Sequence, residues 1–431
     1  MILLKITREL LRQYPLCNHC LGRQFALLIH GVSNESRGSS LKITLTLEAH
    51  RLLLSNKKEG NKLLKILANN GFCEEAVKTL EDLGENSSRS GKKCYICDNL
   101  FENINEFVEK IADALSEYEF ETFLMGIKIP TAIEDREDNL RAEFGIRWGE
   151  SIRNEFSREI GKKIMKLTNK QVDYRKPDVV AVIEPFDKKI TIQVNPLFVY
   201  GRYKKFVKKL PQTPSDNYKE SIEEIITKPL LEMTTGTQAT LHAAGRENAD
   251  ARVLGSGRPF IIEIKNPQKR SIDLKELEKR INQKTLDQIE VSNLRLSTNE
   301  EVKRLKVKGQ AEKVYRALIR FSENIDDQTL ENLEKMLSHN EVTQLTPKRT
   351  LRYKSERTRI KYVYDVKMNR VEDNLIEMLI RCQGGLYIKE LISGDEDRTT
   401  PSVSKIAGTP AECIELDVLD VDEGENKDDK I

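Results

Sequence analysis

The stretch from His242 to Lys265 reads "HAAGRENADARVLGSGRPFIIEIK" and gathers Arg246, Glu247, Asn248, Asp250, Arg252 and Arg258 around three glycines, in a chain otherwise rich in Lys/Glu helix formers. A carboxylate beside arginine is an ion pair that keeps the acid ionised and oriented, and arginines in such a cluster equally suit phosphate. Gly245, Gly255 and Gly257 give the backbone room to turn or to approach another group closely. The end, "PFIIEIK", has the pattern of a strand with Glu263 and Lys265 on one face. Such a cluster is either a salt-bridged turn or a polar site, and Asn248, an amide among acids, is the residue that asks for a reason.

Working outward, a chain of 431 residues exceeds the size at which one core stops growing, so two or three domains are expected. With 32% charged residues and a net charge of +2, its surface is of mixed sign, and any nucleic-acid footprint must be local. The start, "MILLKITRELLRQYP", carries too short an apolar run for a signal peptide, and no run approaches a membrane span of ~20 apolar residues. A cytoplasmic protein is expected.

Residues 1–100 have mostly helical periodicity, and "LGENSSRSGKK" is a turn-rich hinge before Cys94. Residues 101–215 alternate helix and strand, as in a compact α/β unit, with "DVVAVIEPF" and "KITIQVNPLFVYG" as strands. Residues 216–420 mix short strands with charged helices, and the tail 421–431 lacks the apolar residues to dock. The fold class expected is multidomain α+β.

Cys17 and Cys20 in "PLCNHCLG", and Cys94 and Cys97 in "KKCYICDN", are two Cys-x-x-Cys knuckles, the spacing with which four thiolates close a tetrahedral structural zinc site. Four cysteine ligands leave no open position, so the Zn²⁺ expected here is a staple and not a catalyst. His19, inside the first knuckle, is expected to face solvent, and Cys73, Cys382 and Cys413 to be unligated thiols.

Two basic runs are interleaved with aromatics. "VYGRYKKFVKK" carries Arg202, Lys204, Lys205, Lys208 and Lys209, and "TPKRTLRYKSERTRIKY" carries Arg349 and Arg352 among seven basic residues against one acid. Such charges neutralise phosphates while aromatic faces stack on bases or pack below them; a solvated charged face is the plain alternative.

The central stretch resembles the signature of the Pus10 family of tRNA pseudouridine synthases, approximately Gly-Arg-Glu-Asp-x-Asp-x-Arg-x-Leu-Gly-x-Gly-Arg-Pro-Phe. The resemblance extends over nearly the whole chain, through the cysteine knuckles, "NPLFVYGRYKK", "LPQTP", "VYRALI", "LTPKRTLRYKSERTR" and "GGLYIKELISGDEDRTTPS". It implies a zinc-containing N-terminal module, a THUMP-like RNA-binding domain and a mixed α/β pseudouridine synthase catalytic domain. It also implies a reaction, conversion of uridine to pseudouridine in the T loop of tRNA, at positions 54 and 55, without an organic cofactor. The partner implied is tRNA, through its T arm; a monomer is expected, with no membrane.

Carried over by position, the family's catalytic aspartate falls at Asn248, Arg246 matches the arginine beside it, and Tyr315 and Tyr387 match tyrosines that contact the substrate base. An amide supplies neither the charge nor the proton acceptor that the reaction needs. The chain is then a member that has lost catalysis, a deliberately inactivated variant, or one in which Asp250 takes over as the fallback acid. In an extended segment residues two apart share a face, but the step of ~7 Å is large for a catalytic group. A non-catalytic tRNA-binding protein of the same fold is the main alternative. Asp250, Glu263 and Lys265 also fit, loosely, the spacing of a Mg²⁺-dependent nuclease.

Overall fold

Apolar residues at helical spacing run through the first 82 residues and form α1 (Ile2–Gln13), α2 (Asn18–Arg23), α3 (Asn34–Ser55), α4 (Lys57–Asn69) and α5 (Glu74–Asp82). Ser33 and Asn56 start α3 and α4 by accepting the N–H groups of Ser36 and Glu59, which would otherwise lack partners. The computed structural model describes residues 2–85, 91–308, 312–352 and 355–421, so part of the expected hinge and the expected tail beyond Val421 lie outside the described residues, while Val421 itself is buried rather than part of a tail. Contacts divide the chain into two units, Met1–Asn195 and Pro196–Ile431.

The first unit continues with α6 (Ile104–Leu115), β1 (Thr122–Ile127), α7 (Thr131–Phe144), α8 (Ile152–Thr168), β2 (Gln171–Val172), β3 (Val179–Glu184) and β4 (Lys189–Val194). Its sheet has the order β2-β1-β3-β4, with β1 parallel to β2 and β3, and β4 antiparallel. Along β3 the alternate residues Val179, Ala181 and Ile183 are buried, the period-two signature of a strand with one covered face. Leu10, Leu64, Phe101, Phe123 and Phe156 belong to one apolar core, so the expected boundary at residue 100 does not separate two cores. Arg23, fully buried, donates to Glu137 and Glu155 at 2.7 Å each and ties α2 to α7 and α8.

The second unit opens with β5 (Leu197–Lys205), which the sequence reading assigns to the preceding domain. Its partners, β7 (Arg252–Lys265) and β8 (Ile289–Ser297), both lie later in the chain, so it belongs to the second unit's sheet. In order the other elements are α9 (Ile222–Thr234), β6 (Gln238–Ala243), β7, α10 (Leu274–Lys284), β8, α11 (Asn299–Lys308), β9 (Glu312–Phe321), α12 (Asp327–Leu337), β10 (Asn340–Leu345), β11 (Thr358–Glu372), β12 (Leu375–Gln383), α13 (Ile388–Ser393), β13 (Thr399–Thr400), α14 (Val403–Ala407) and β14 (Ala411–Val421). The sheet runs β13-β10-β11-β12-β9-β14-β7-β5-β8, and β6 also pairs with β7. The fold is α+β, as expected.

The opening stretch lies inside this sheet, two strands from its β8 edge. One edge of β7 pairs with β5; the other is shared, with β14 against Arg252 and Val253 and β6 against Phe260–Lys265. Gly255 and Gly257, at φ +58 and +76, make the bend between the two pairings, and a Cβ on Gly255 would stand 2.0 Å from the Leu419 carbonyl oxygen. Their role is close approach of strand to strand. The loop 244–251 leaves the sheet where β6 ends, above the junction of two apolar cores, and Tyr315 packs against both.

Candidate active site and metal centre

The loop that carries Asn248 is pinned from several sides. The Lys205 ammonium, buried, donates to the carbonyl oxygens of Asn248 and Ala249 at 3.2 Å each and of Leu210 at 3.0 Å. Lys209 N–H donates to Ala249 O at 2.8 Å, and Ala251 N–H closes a turn onto Asn248 O at 3.1 Å. Arg258 donates to Ala244 O at 2.6 Å and Gln212 to Gly245 O at 3.1 Å. Backbone oxygens buried in a loop must find donors, and here side chains from distant segments supply them.

Beneath the loop lies a buried polar knot. Glu247 and Arg258 form an ion pair at 2.9 Å, each side chain 1% exposed. Tyr203 donates its hydroxyl to Glu247 at 2.9 Å, and Gln212 donates to Tyr203 at 2.9 Å. Burial and the charge of Glu247 push the Tyr203 hydroxyl well above its ordinary pKa, so it stays a donor. The neighbouring Arg246 is exposed; the arginine that answers Glu247 is eleven residues on.

Above the knot opens a cleft of about 870 Å³. Asn248 and Arg246 line it, together with Lys313 and Tyr315 from β9, Arg349, Arg359, and Tyr387 and Lys389 at the start of α13. Lys313 and Tyr315 reach the same side because alternate residues of a strand share a face. Burial, and after it the charge of Arg258, brings the Lys313 ammonium down to about 8. Burial pushes the Tyr315 hydroxyl up, so it remains protonated. Gln344 clamps the Tyr387 backbone, accepting from its N–H at 2.8 Å and donating to its oxygen at 2.9 Å, while the Arg359 guanidinium lies 5.6 Å over the Tyr387 ring.

Asp250 is placed differently. Residues 246–251 form a loop with a turn, not a strand, so the shared face expected for residues 248 and 250 does not arise. Asp250 is not among the residues lining the cleft; it is 56% exposed and pairs with Lys389, which does line it and which holds the Asp250 carboxyl below the usual range although burial works the other way. In this arrangement the carboxyl is engaged by Lys389 at the rim of the cleft. Glu263 pairs with His242 at 2.9 Å, and among the described residues the only metal-competent cluster is made of cysteines, so the nuclease spacing assembles no Mg²⁺ site there.

The first basic run is a strand as far as Lys205, which sends its residues to two sides, and a loop beyond it. Lys205 does not face RNA as expected; it is an internal brace. Arg202 donates to Ser256 and Gly257 and supports the glycine bend. Lys204 pairs with Glu290 at 3.2 Å, Lys208 with Glu415 at 2.9 Å, and Lys209 is exposed. Of the second run, Arg349 pairs with Glu390 at 2.6 Å at the cleft, and Arg352 is exposed. The sequence reading passed over Lys313, which carried a local signal two residues before Tyr315 on a strand, and held Gln212 and Arg359 only as members of the quoted "LPQTP" and the second basic run.

In the first unit the sulfurs of Cys17, Cys20, Cys94 and Cys97 all lie within 4.8 Å of one another, with Cys17 and Cys97 at 3.8 Å. A tetrahedron of ~2.3 Å metal–sulfur bonds has edges of ~3.8 Å, so the four thiols fit a closed structural metal site. His19 does not face solvent as expected; it stacks on Phe101 and bonds Glu155 at 2.8 Å, outside the cluster. Cys73, Cys382 and Cys413 are free thiols.

The family profile described as Pus10, C-terminal, matches residues 198–422, and the one described as Pus10 THUMP domain, archaeal, matches residues 107–184. The tRNA pseudouridine synthase Pus10 of Pyrococcus furiosus is 38% identical over 420 residues, which cover 97% of this chain and 98% of that one. Its counterpart from Methanocaldococcus jannaschii is 40% identical, with 96% and 94% covered. A solved Cbf5–Nop10–Gar1 complex is similar at 15% identity and a TM-score of 0.31 over 51% of this chain and 47% of that one, a likeness on which nothing is built. With matches that span both units, the chain belongs to the Pus10 family of tRNA pseudouridine synthases.

Proposed function

We propose that the central cleft receives a uridine of the tRNA T loop, flipped out of its stack, and that with Asn248 in place this chain binds the nucleotide but isomerises it poorly or not at all. The observation that carries the reading is that Asn248 lines the same cleft as Arg246, Tyr315 and Tyr387, whereas Asp250 is not among the lining residues and its carboxyl is taken by Lys389. Isomerisation breaks the bond from the ribose to the base nitrogen, turns the base and rejoins it through carbon; the carbon's proton leaves and the freed nitrogen gains one. Tyr315 and Tyr387 offer a ring face and a hydroxyl to the turning base, and Arg246 a charge beside the sugar. A carboxylate at position 248 would face the sugar with the charge the reaction needs; the amide there lacks it.

Asn248 itself favours a second reading, a tRNA-binding protein without chemistry. In either case Zn²⁺ held by Cys17, Cys20, Cys94 and Cys97 acts as a staple. Lys204, Lys208, Lys209, Arg349 and Arg352 are the basic-run residues assigned to phosphates. The reading is of a cytoplasmic monomer that uses no organic cofactor.

Pseudouridine formed in the T loop of unmodified tRNA, compared between this chain, Asn248→Asp and Asp250→Asn, tests the assignment. Activity that rises by orders of magnitude only in Asn248→Asp is the result expected. Activity in the unaltered chain that vanishes with Asp250→Asn would overturn it, and tRNA binding with no activity in any variant would leave the second reading.

A further inference from the structure

On α4 the residues Lys58, Lys62, Lys65 and Asn69 recur at steps of four, three and four, a single stripe along the face opposite the buried Leu63, Leu64 and Leu67. Like charges at these steps repel and work against the helix. Lys65 is answered by Glu85 at 2.8 Å; Lys58 and Lys62 have no carboxylate partner among the described residues.

The stripe forms the floor of a groove. Two clefts of about 470 and 300 Å³ adjoin along it and share Lys58, Lys62 and Ile66. Lys92 and Asn70 flank the first, and Arg8 and Arg12 of α1 flank the second. Among the described residues the only carboxylate lining either cleft, Glu59, is already paired with Arg8 at 3.1 Å. A concave surface with this excess of cations suits a polyanion with regularly spaced charges, and the amide of Asn69 beside the lysines suits a ribose hydroxyl, while that of Asn61 donates to Glu85 at 2.6 Å.

The groove is tied to the metal centre. Asn70 accepts at its carbonyl from Leu16 N–H at 2.8 Å, beside Cys17, and at its side-chain oxygen from Lys92 at 3.1 Å, two residues before Cys94. Its amide nitrogen donates to Leu11 O of α1 at 2.8 Å. One asparagine thus links both cysteine knuckles and α1 to the end of α4.

We propose that this groove is a docking site for the phosphate backbone of RNA, separate from the uridine cleft and kept in shape by the metal-bound knuckles. The proposal rests on the RNA-modifying reading of the chain but not on catalysis.

Binding of an unmodified tRNA transcript to the full chain, followed across salt concentrations, tests it. Joint Lys58→Gln, Lys62→Gln and Lys65→Gln is expected to weaken binding by on the order of tenfold and to flatten the log–log salt slope by about 2. The matching triple arginine variant should keep the slope, and verified metal removal should flatten it like the glutamine variant. An unchanged slope, or an arginine variant as weak as the glutamine one, would overturn the proposal. Asn248→Asp, measured in parallel for pseudouridine, keeps the two readings apart: its failure to make pseudouridine would count against the uridine cleft while the salt slope still decides the groove.

Discussion

The Lys205 ammonium lies 3.2 Å from the carbonyl oxygen of Asn248, so a residue that by sequence belongs to a basic surface run holds the loop of the candidate active site from within. Burial depresses the pKa of this lysine, and its three carbonyl acceptors use the three protons it carries. Lys205→Met would leave those oxygens without that donor, at a cost of about 1–3 kcal/mol. Chemical denaturation should show that loss. In the Asn248→Asp background, pseudouridine formation should fall by tenfold or more; unaltered activity there would mean the loop needs no brace.

Glu247 and Arg258 make the second test. Breaking one partner of a buried pair leaves the other charge uncompensated, typically at 3–5 kcal/mol. Glu247→Gln should therefore destabilise the second unit by an amount in that range and leave Tyr203 and Gln212 one neutral acceptor oxygen where they had two charged ones. A melting temperature unchanged from the parent would show that the knot is not what holds the loop.

Lys313 implies a pH dependence of definite sign. Its pKa is lowered from 10.5 to about 8 in the folded chain, so between those values the unfolded chain binds more protons and stability rises with pH. Between pH 7.5 and 9.5 the unfolding free energy should rise ~2 kcal/mol more in the parent than in Lys313→Met. Parallel pH profiles for the two would refute the assignment.

Metal removal addresses the first unit. One zinc per chain is expected, and chelation should expose four additional reactive thiols and lower the thermal stability of residues 2–195, because ligand binding free energy is also folding free energy. The second unit, which has its own cores, should keep its transition. Cooperative unfolding of the first unit that survives verified metal loss would argue that the thiols are not a staple.

What the sequence by itself determined was local or carried by motif. The Cys-x-x-Cys spacing of 17/20 and 94/97, the strand pattern of Val179–Glu184, the mostly helical periodicity of the first hundred residues, and the amide at Asn248 are all properties of short windows, legible without a partner. The tertiary structure alone decided which distant groups answer them. Glu247 takes Arg258 rather than the adjacent Arg246, because β7 folds back beneath the loop. Lys205 turns inward while Lys204 finds a carboxylate at the surface, because a strand alternates its faces and only the pairing partners settle which face is buried. Leu197–Lys205 joins the second unit for the same reason: the hydrogen bonds that complete a strand come from residues far along the chain, and no short window contains them.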